Sequence, residues 1–215
     1  MIKNKIIETY SKIHAPQTYT NDNSPSFEGS QRQSEFFKAW ELIIKFYENK
    51  NRKTITFLEV GAWKGLWGIA FNEFCKMKNI QGEYTTITML EHDPNNGGLI
   101  HTINHIRKDG LKANLINLNT FNENALPEVK KYGDKFDIVF IDAGHKYHEA
   151  KNDIDKFAEL ASDMLLFHDI RPIEDSGNCG VYQAIKDAGI ILDEEISVNE
   201  NEMGIGIKYI NGTFL

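Results

Sequence analysis

Cysteine is scarce in this chain of 215 residues, with Cys75 and Cys179 its two examples. Two thiols cannot build the disulfide framework of a small secreted scaffold or supply a cysteine metal site, so both read as reduced. Long apolar runs are missing as well. Stretches such as 138–141 and 164–167 fall far short of the roughly 20 residues that span a bilayer. The first 14 residues mix charge among their apolar positions, which is not the pattern of a secretion signal. The glycosylation-like triplet Asn211-Gly212-Thr213 is then a chance match. Basic charge is also short: 24 Lys and Arg stand against 31 Asp and Glu, a net charge of −7 and a pI near 5.5. A polyanion is repelled on average, so neither nucleic acid nor an acidic membrane is an expected partner. What is present is ordinary globular composition, 41% hydrophobic and 26% charged, at a length that suits one domain with a small appendage. A soluble, cytoplasmic protein is expected.

Residues 1–30 differ from the rest. They are polar and irregular, with Pro16, Pro25 and a Thr/Asn/Asp/Ser-rich stretch that signals loop. They are read as an N-terminal cap or lid segment, and residues 31–215 as the main domain. A helix is expected from Ser30, because Phe36, Phe37, Trp40, Ile43, Ile44 and Tyr47 recur at helical spacing, as core packing requires. Beyond Lys53, short β-rich runs at 55–60, 85–90, 113–118, 136–141, 164–167, 190–197 and 205–210 alternate with helical stretches at 66–78, 98–109, 122–131, 147–160 and 181–188. Apolar strands separated by helices imply a parallel sheet covered on both faces. The last two runs have no helix between them and are joined across Asn199-Glu200-Asn201, so they read as an antiparallel hairpin. The expected fold is α/β: a Rossmann-like, doubly wound, seven-stranded and mostly parallel sheet with a C-terminal antiparallel hairpin, plus a helical or irregular N-terminal cap.

The first strand runs into Glu59-Val60-Gly61-Ala62-Trp63-Lys64-Gly65 and then a helix. Glycine at such a turn lets the backbone approach a ligand beyond the strand's carboxyl end, or simply lets chain segments pack closely. The dinucleotide pattern Gly-x-Gly-x-x-Gly is absent, because Trp63 occupies its middle glycine. That counts against a nicotinamide or flavin enzyme. The second strand ends near Glu91-His92-Asp93-Pro94, where Glu91 is placed to accept hydrogen bonds from both ribose hydroxyls of a nucleoside. Asp93 reads as the cap of the next helix.

The fourth strand ends in Asp142, followed by Ala143-Gly144-His145, and the fifth ends in His168-Asp169. Parallel strands open on one edge, so Asp142, His145, His168 and Asp169 should converge at one mouth, the edge that also carries Glu59 and Glu91. Two carboxylates and two imidazoles there suit a divalent cation, deprotonation of a hydroxyl, or both.

In this order and spacing the motifs resemble the class I S-adenosylmethionine-dependent methyltransferases, over roughly residues 31–210. The run Phe140-Ile141-Asp142-Ala143-Gly144-His145-Lys146-Tyr147 and the later Phe167-His168-Asp169 are similar to small bacterial methyltransferase domains. The segment 87–94 is similar to catechol and macrolide sugar O-methyltransferases. The resemblance implies that Glu59, Gly61 and Gly65 line the methionine part of S-adenosylmethionine. It further implies that Glu91 holds the ribose, that His92 lies beside the adenine, and that Asn119-Thr120-Phe121, with Thr120 as the binding residue, sits at the adenine edge. Asp142, His168 and Asp169 would be metal ligands, with Asp142 and His145 catalytic and His145 the general base. Two departures stand out: Ala143 replaces a usual Gly, and His168 occupies a position where Asp or Glu is common. Magnesium prefers oxygen ligands, so His168 leaves magnesium and manganese both open.

The resemblance thus implies O-methylation of a small-molecule or sugar hydroxyl. The rivals are a non-catalytic scaffold that keeps the cofactor pocket and an NAD(P)-dependent oxidoreductase. No Asn/Asp-Pro-Pro-aromatic motif of nucleic-acid methyltransferases occurs. A helix rich in Phe and Trp near the N-terminus would suit a homodimer. The loop 175–179 is expected to face the same mouth, and Arg171 to lie at the surface, with the steadying of an anionic group as its alternative role.

Overall fold

The computed structural model describes residues 2–14, 33–92, 98–171, 180–197 and 203–211. Strands β1 (Thr54–Val60), β2 (Gln81–Thr88), β3 (Lys112–Asn117), β4 (Phe136–Ile141), β5 (Ala161–His168), β6 (Glu194–Ile196) and β7 (Ile205–Tyr209) form one sheet. Its order is β3-β2-β1-β4-β5-β7-β6. The first five pair parallel, and β7 runs antiparallel to both β5 and β6. The chain leaves β1 in one direction and returns through β4 in the other. A crevice opens at such a switch point, beyond the carboxyl ends of the strands.

Helices α1 (Ile2–Ile13), α2 (Gln33–Phe46), α3 (Leu66–Lys78), α4 (Gly98–Lys108), α5 (Ala125–Lys130), α6 (Tyr147–Phe157) and α7 (Gly180–Asp187) cover the two faces. Side chains alternate along β1: Phe57 joins Trp40, Trp67, Phe71 and Phe74 beneath α2 and α3, while Leu58 and Val60 join Ile154, Phe157 and Ile185 beneath α6 and α7. The aromatic stripe of α2 is spent in this core, with Phe36 and Trp40 packed edge-on or tilted against Trp67. It is therefore not left over for a partner subunit. Among the described residues no helix is long and apolar enough to cross a membrane.

Some bounds shift. The N-terminal segment, read as a helical or irregular cap, begins with a helix: Ile6 and Tyr10 stand one turn apart and are buried, and α1 packs on α3 and α4. Strand β2 starts at Gln81 and ends at Thr88, and Leu90–His92 forms a 3-10 turn. The polar start Gln81-Gly82-Glu83 hid the strand, although pairing with β1 from Thr54 onward claims it. The Ser30 cap, the Asp93 cap, the loop 175–179 and the 199–201 turn lie outside the described residues.

Gly61 shows what the turn after β1 requires. Its φ is +88°, and a Cβ there would lie 2.3 Å from the Asp142 carbonyl oxygen and 2.5 Å from Ala143 Cα. Close approach of the β4 loop and left-handed backbone together demand glycine. Gly61→Ala is expected to cost about 2 kcal/mol or more of stability in urea denaturation. An unchanged unfolding midpoint would show that the two loops separate freely.

Candidate active site at the carboxyl edge of β4 and β5

The turn into α3 is fastened from below. Gly61 N–H donates to the Ile87 carbonyl at 2.9 Å, and Asp142 N–H to the Val60 carbonyl at 2.8 Å. Gly65 caps α3 at φ 75°, and a Cβ on it would meet Thr102 and Leu99 of α4 below 3.0 Å. Thr102 donates its hydroxyl to the Lys64 carbonyl at 2.6 Å, and His14, at the end of α1, lies 3.0 Å from the same hydroxyl oxygen. Thr102 has spent its one proton, so the His14 Nε2 must be the donor. The N-terminal helix is thereby tied to the glycine turn, a link with no sequence signal beyond two polar residues 88 apart.

The loop after β4 is pinned by Asp153 of α6, which is fully buried and accepts from Gly144 N–H at 3.1 Å. Burial pushes the Asp153 carboxyl up, against hydrogen bonds from Thr120, Asn152 and Gly144. The Thr120 hydroxyl is thus engaged beneath this loop, and its carbonyl accepts from Lys156 at 2.5 Å. Held this way, the loop lays His145 against Asp169, with its Nδ1 in contact with the Asp169 carboxylate. Asp169 itself is a non-glycine residue at φ 58°, strained backbone of the kind found where function demands an orientation.

His168 is the hub. Its Nδ1 lies 3.1 Å from an Asp142 oxygen and 2.9 Å from an Asp169 oxygen, and its Nε2 lies 3.2 Å from Glu35 of α2. His168 and Glu35 both have fully enclosed side chains, at 0% exposure. Burial alone would lower the His168 pKa, but the Asp142 charge and hydrogen bonds to Asp142, Asp169 and Glu35 raise it well above 6.5. The His145 imidazole is raised too, chiefly by its hydrogen bond to Asp169, against burial. Asp169 is held well below the usual carboxylate range: burial opposes this, but the two imidazoles outweigh it.

The sequence expectation that Asp142, His145, His168 and Asp169 converge therefore describes the structure. Ligand atoms from Asp142, His168 and Asp169 all lie within 4.8 Å of one another. This donor set fits a divalent cation: neighbouring ligands around an octahedral ion with bonds of about 2.1 Å sit about 3 Å apart, as the Nδ1-to-oxygen distances do.

The other expected site residues are more scattered. Glu59 is buried at 3% exposure on the face that carries α3, and it accepts a short hydrogen bond from the Tyr84 hydroxyl. Burial pushes its carboxyl up to about 8, with a further push from the Asp142 charge. Glu91 is exposed in the 3-10 turn rather than at the strand tip, and His92 closes that turn. Arg171 is exposed, its N–H donating to the Met203 carbonyl at 2.8 Å. Glu35 was missed by sequence reasoning. Its one signal is a carboxylate in phase with Ala39, Ile43 and Phe46 on a buried helix face.

No curated protein matches the chain in sequence. Among solved structures, the O-methyltransferase NovP superposes with a TM-score of 0.65 at 10% identity, over 96% of this chain and 97% of that one. MycE, a methyltransferase of the mycinamycin biosynthetic pathway in complex with Mg, SAH and mycinamycin VI, gives 0.54 at 13% identity over 94% of this chain. The present chain spans about half of MycE, 53% of its length. CalS11, a TDP-rhamnose 3'-O-methyltransferase of calicheamicin biosynthesis, gives 0.53 at 8% identity, covering 98% of this chain and 93% of that one. At such identities these likenesses speak for the fold. Residues 58–170, just over half of the chain and the part that holds the glycine turn and the Asp/His cluster, match the family described as "Methyltransferase domain". The chain belongs to this methyltransferase family and has the Rossmann-like fold of its class I, S-adenosylmethionine-dependent type.

Proposed function

We propose that the protein is an S-adenosylmethionine-dependent O-methyltransferase acting on a hydroxyl of a small molecule or sugar, assisted by a divalent cation, with His145 as general base. The observation that carries this reading is the convergence of Asp142, His145, His168 and Asp169 beside the β1–β4 crevice. The Mg and SAH of the MycE complex and the sugar nucleotide in the name of CalS11 support the same choice of cofactors and acceptor. When bound, S-adenosylmethionine supplies a methyl group on a sulfonium, and magnesium or manganese supplies a Lewis acid that makes an acceptor hydroxyl more acidic.

The chain's own residues do the rest. Asp142, His168 and Asp169 hold the cation. Asp169 occupies Nδ1 of His145, which leaves Nε2 to take the acceptor's proton. Glu59, Gly61 and Gly65 accommodate the methionine end, Glu91 accepts from the ribose hydroxyls, and His92 and Thr120 flank the adenine. Residues 1–30 serve as a cap or lid, which α1 anchors on α3 and α4. The setting of this reaction is the cytoplasm, and its partner is the acceptor rather than nucleic acid or membrane.

Calorimetric titration with S-adenosylhomocysteine tests the cofactor assignment. Micromolar binding is expected, weakened roughly 10- to 100-fold in Glu91→Ala by the loss of charged hydrogen bonds to the ribose. Absence of binding with and without magnesium or manganese would sink the reading, and binding of NAD(P) in its place would install the oxidoreductase.

A further inference from the structure

The buried carboxylate on the far side of His168 is unexplained by the methyltransferase reading. Glu35 comes from α2, outside the matched domain segment, and reaches the end of β5 with no exposure to solvent. Two of its contacts lie there. One oxygen lies 3.2 Å from His168 Nε2, and the other accepts the Gly204 N–H at 3.1 Å, just before β7. An ionised carboxylate offers acceptors only, so the Nε2 that faces it carries the hydrogen. Nδ1 is thereby turned to the side where the Asp142 and Asp169 carboxylates lie, at 3.1 and 2.9 Å, and a cation held between them would take the place of the Nδ1 proton.

We infer that Glu35 is a positioning residue for the cation site: it fixes the His168 ring and tautomer so that Nδ1 serves as the third ligand beside Asp142 and Asp169. The inference rests on the cation-assisted reading above. It explains how a histidine can stand in a site otherwise built of oxygen. A carboxylate ligand presents an oxygen in either orientation, whereas an imidazole must be turned and protonated on the correct nitrogen. A carboxylate behind the ring does both and also makes the ligand nitrogen more basic. Glutamine cannot replace it. One of its two heads is a donor, and it would face either the Nε2–H or the Gly204 N–H.

Manganese serves as probe and spectroscopic reporter in the full-length protein. Native protein is expected to bind Mn²⁺, and its spin-echo spectrum to show modulation from one directly bound imidazole nitrogen. Glu35→Gln is expected to raise the Mn²⁺ dissociation constant about 10- to 100-fold and to remove that modulation, with S-adenosylhomocysteine affinity unchanged. In a His168→Asp background, where oxygen ligation needs no orientation, the same substitution should not weaken Mn²⁺ binding. Equal losses in both backgrounds would mean general damage and overturn the inference. So would retained affinity with retained nitrogen modulation, which leaves the cation reading intact. No Mn²⁺ binding to the native protein overturns both, while S-adenosylhomocysteine binding continues to report on the methyltransferase reading by itself. Should Glu35→Gln fail to fold, the native spectrum still decides, because a site without nitrogen modulation has no role for Glu35.

Discussion

His145→Ala is expected to lower kcat for methyl transfer by about 10²- to 10⁴-fold, the usual weight of a positioned general base. The argument is geometric. Asp153 pins the Gly144 backbone, the loop carries His145 over Asp169, and the ring is 37% exposed at the mouth while its Nδ1 is committed to the carboxylate. Nε2 is then the nitrogen that meets an acceptor hydroxyl, whose own pKa lies far above neutrality. The substitution leaves the residues assigned to the cofactor in place, so S-adenosylhomocysteine affinity should stay within about twofold. The loss should fall on kcat rather than on KM. The measurement is transfer of labelled methyl from S-adenosylmethionine to the acceptor that best supports turnover, with deoxysugar nucleotides and catechols as the first panel. Added imidazole should restore part of the rate. A variant that keeps kcat within about threefold would assign proton removal to another group and reduce His145 to a neighbour of Asp169.

The parts of this site legible in the sequence share one property: they sit at the ends of strongly apolar strands. β4 was read as 136–141 and is found there, so the residues after it fall at the mouth without further information. The same holds for β5, although its start at Ala161 was hidden by the polar Ser162 and Asp163 that follow. Glu91 shows the limit. Reading β2 as ending at Leu90 put this carboxylate at a strand tip, but the chain turns into 3-10 geometry after Thr88 and leaves it exposed one turn further on. Strand propensity cannot mark where pairing with a neighbour stops. Glu35 and His14 lay beyond reach for a different reason. Their partners are 133 and 88 residues away, and a lone polar residue on an apolar stripe does not say which one it will meet. The sheet order was likewise illegible in one respect: the hairpin was evident, but not that its second strand would sit inside, between β5 and β6.

Glu59→Gln is expected to stabilise the protein at alkaline pH while leaving it little changed in acid. Glu59 is enclosed on the α3 face, accepts from Tyr84 and feels the Asp142 charge, and burial lifts its pKa from the ordinary 4.5 to about 8. The folded state therefore holds this proton more tightly than the unfolded chain does. The stability this contributes is fully present below pH 4.5, is lost as pH rises from 4.5 to 8, and falls no further above that. At about 1.4 kcal/mol per unit the loss is on the order of 3–5 kcal/mol. A glutamine carbonyl can still accept from Tyr84 but has no proton to lose, so the variant should lack this slope. Urea denaturation at pH values from 5 to 9 would show native and variant curves diverging from pH 5 up to about 8 and running parallel above that. Curves parallel over the whole range would mean that Glu59 is ionised, or solvated, at neutral pH. A carboxylate that burdens the fold in this way calls for another role, and its place at the end of β1, two residues before Gly61, supplies one. A cationic ligand in the crevice would draw Glu59 into its charged form and release a proton on binding. Calorimetry of S-adenosylmethionine binding, without acceptor, in buffers of different ionisation enthalpy should detect that proton in the native protein and not in Glu59→Gln. Proton release that persists in the variant would free Glu59 from any part in cofactor binding and leave it a purely structural burden.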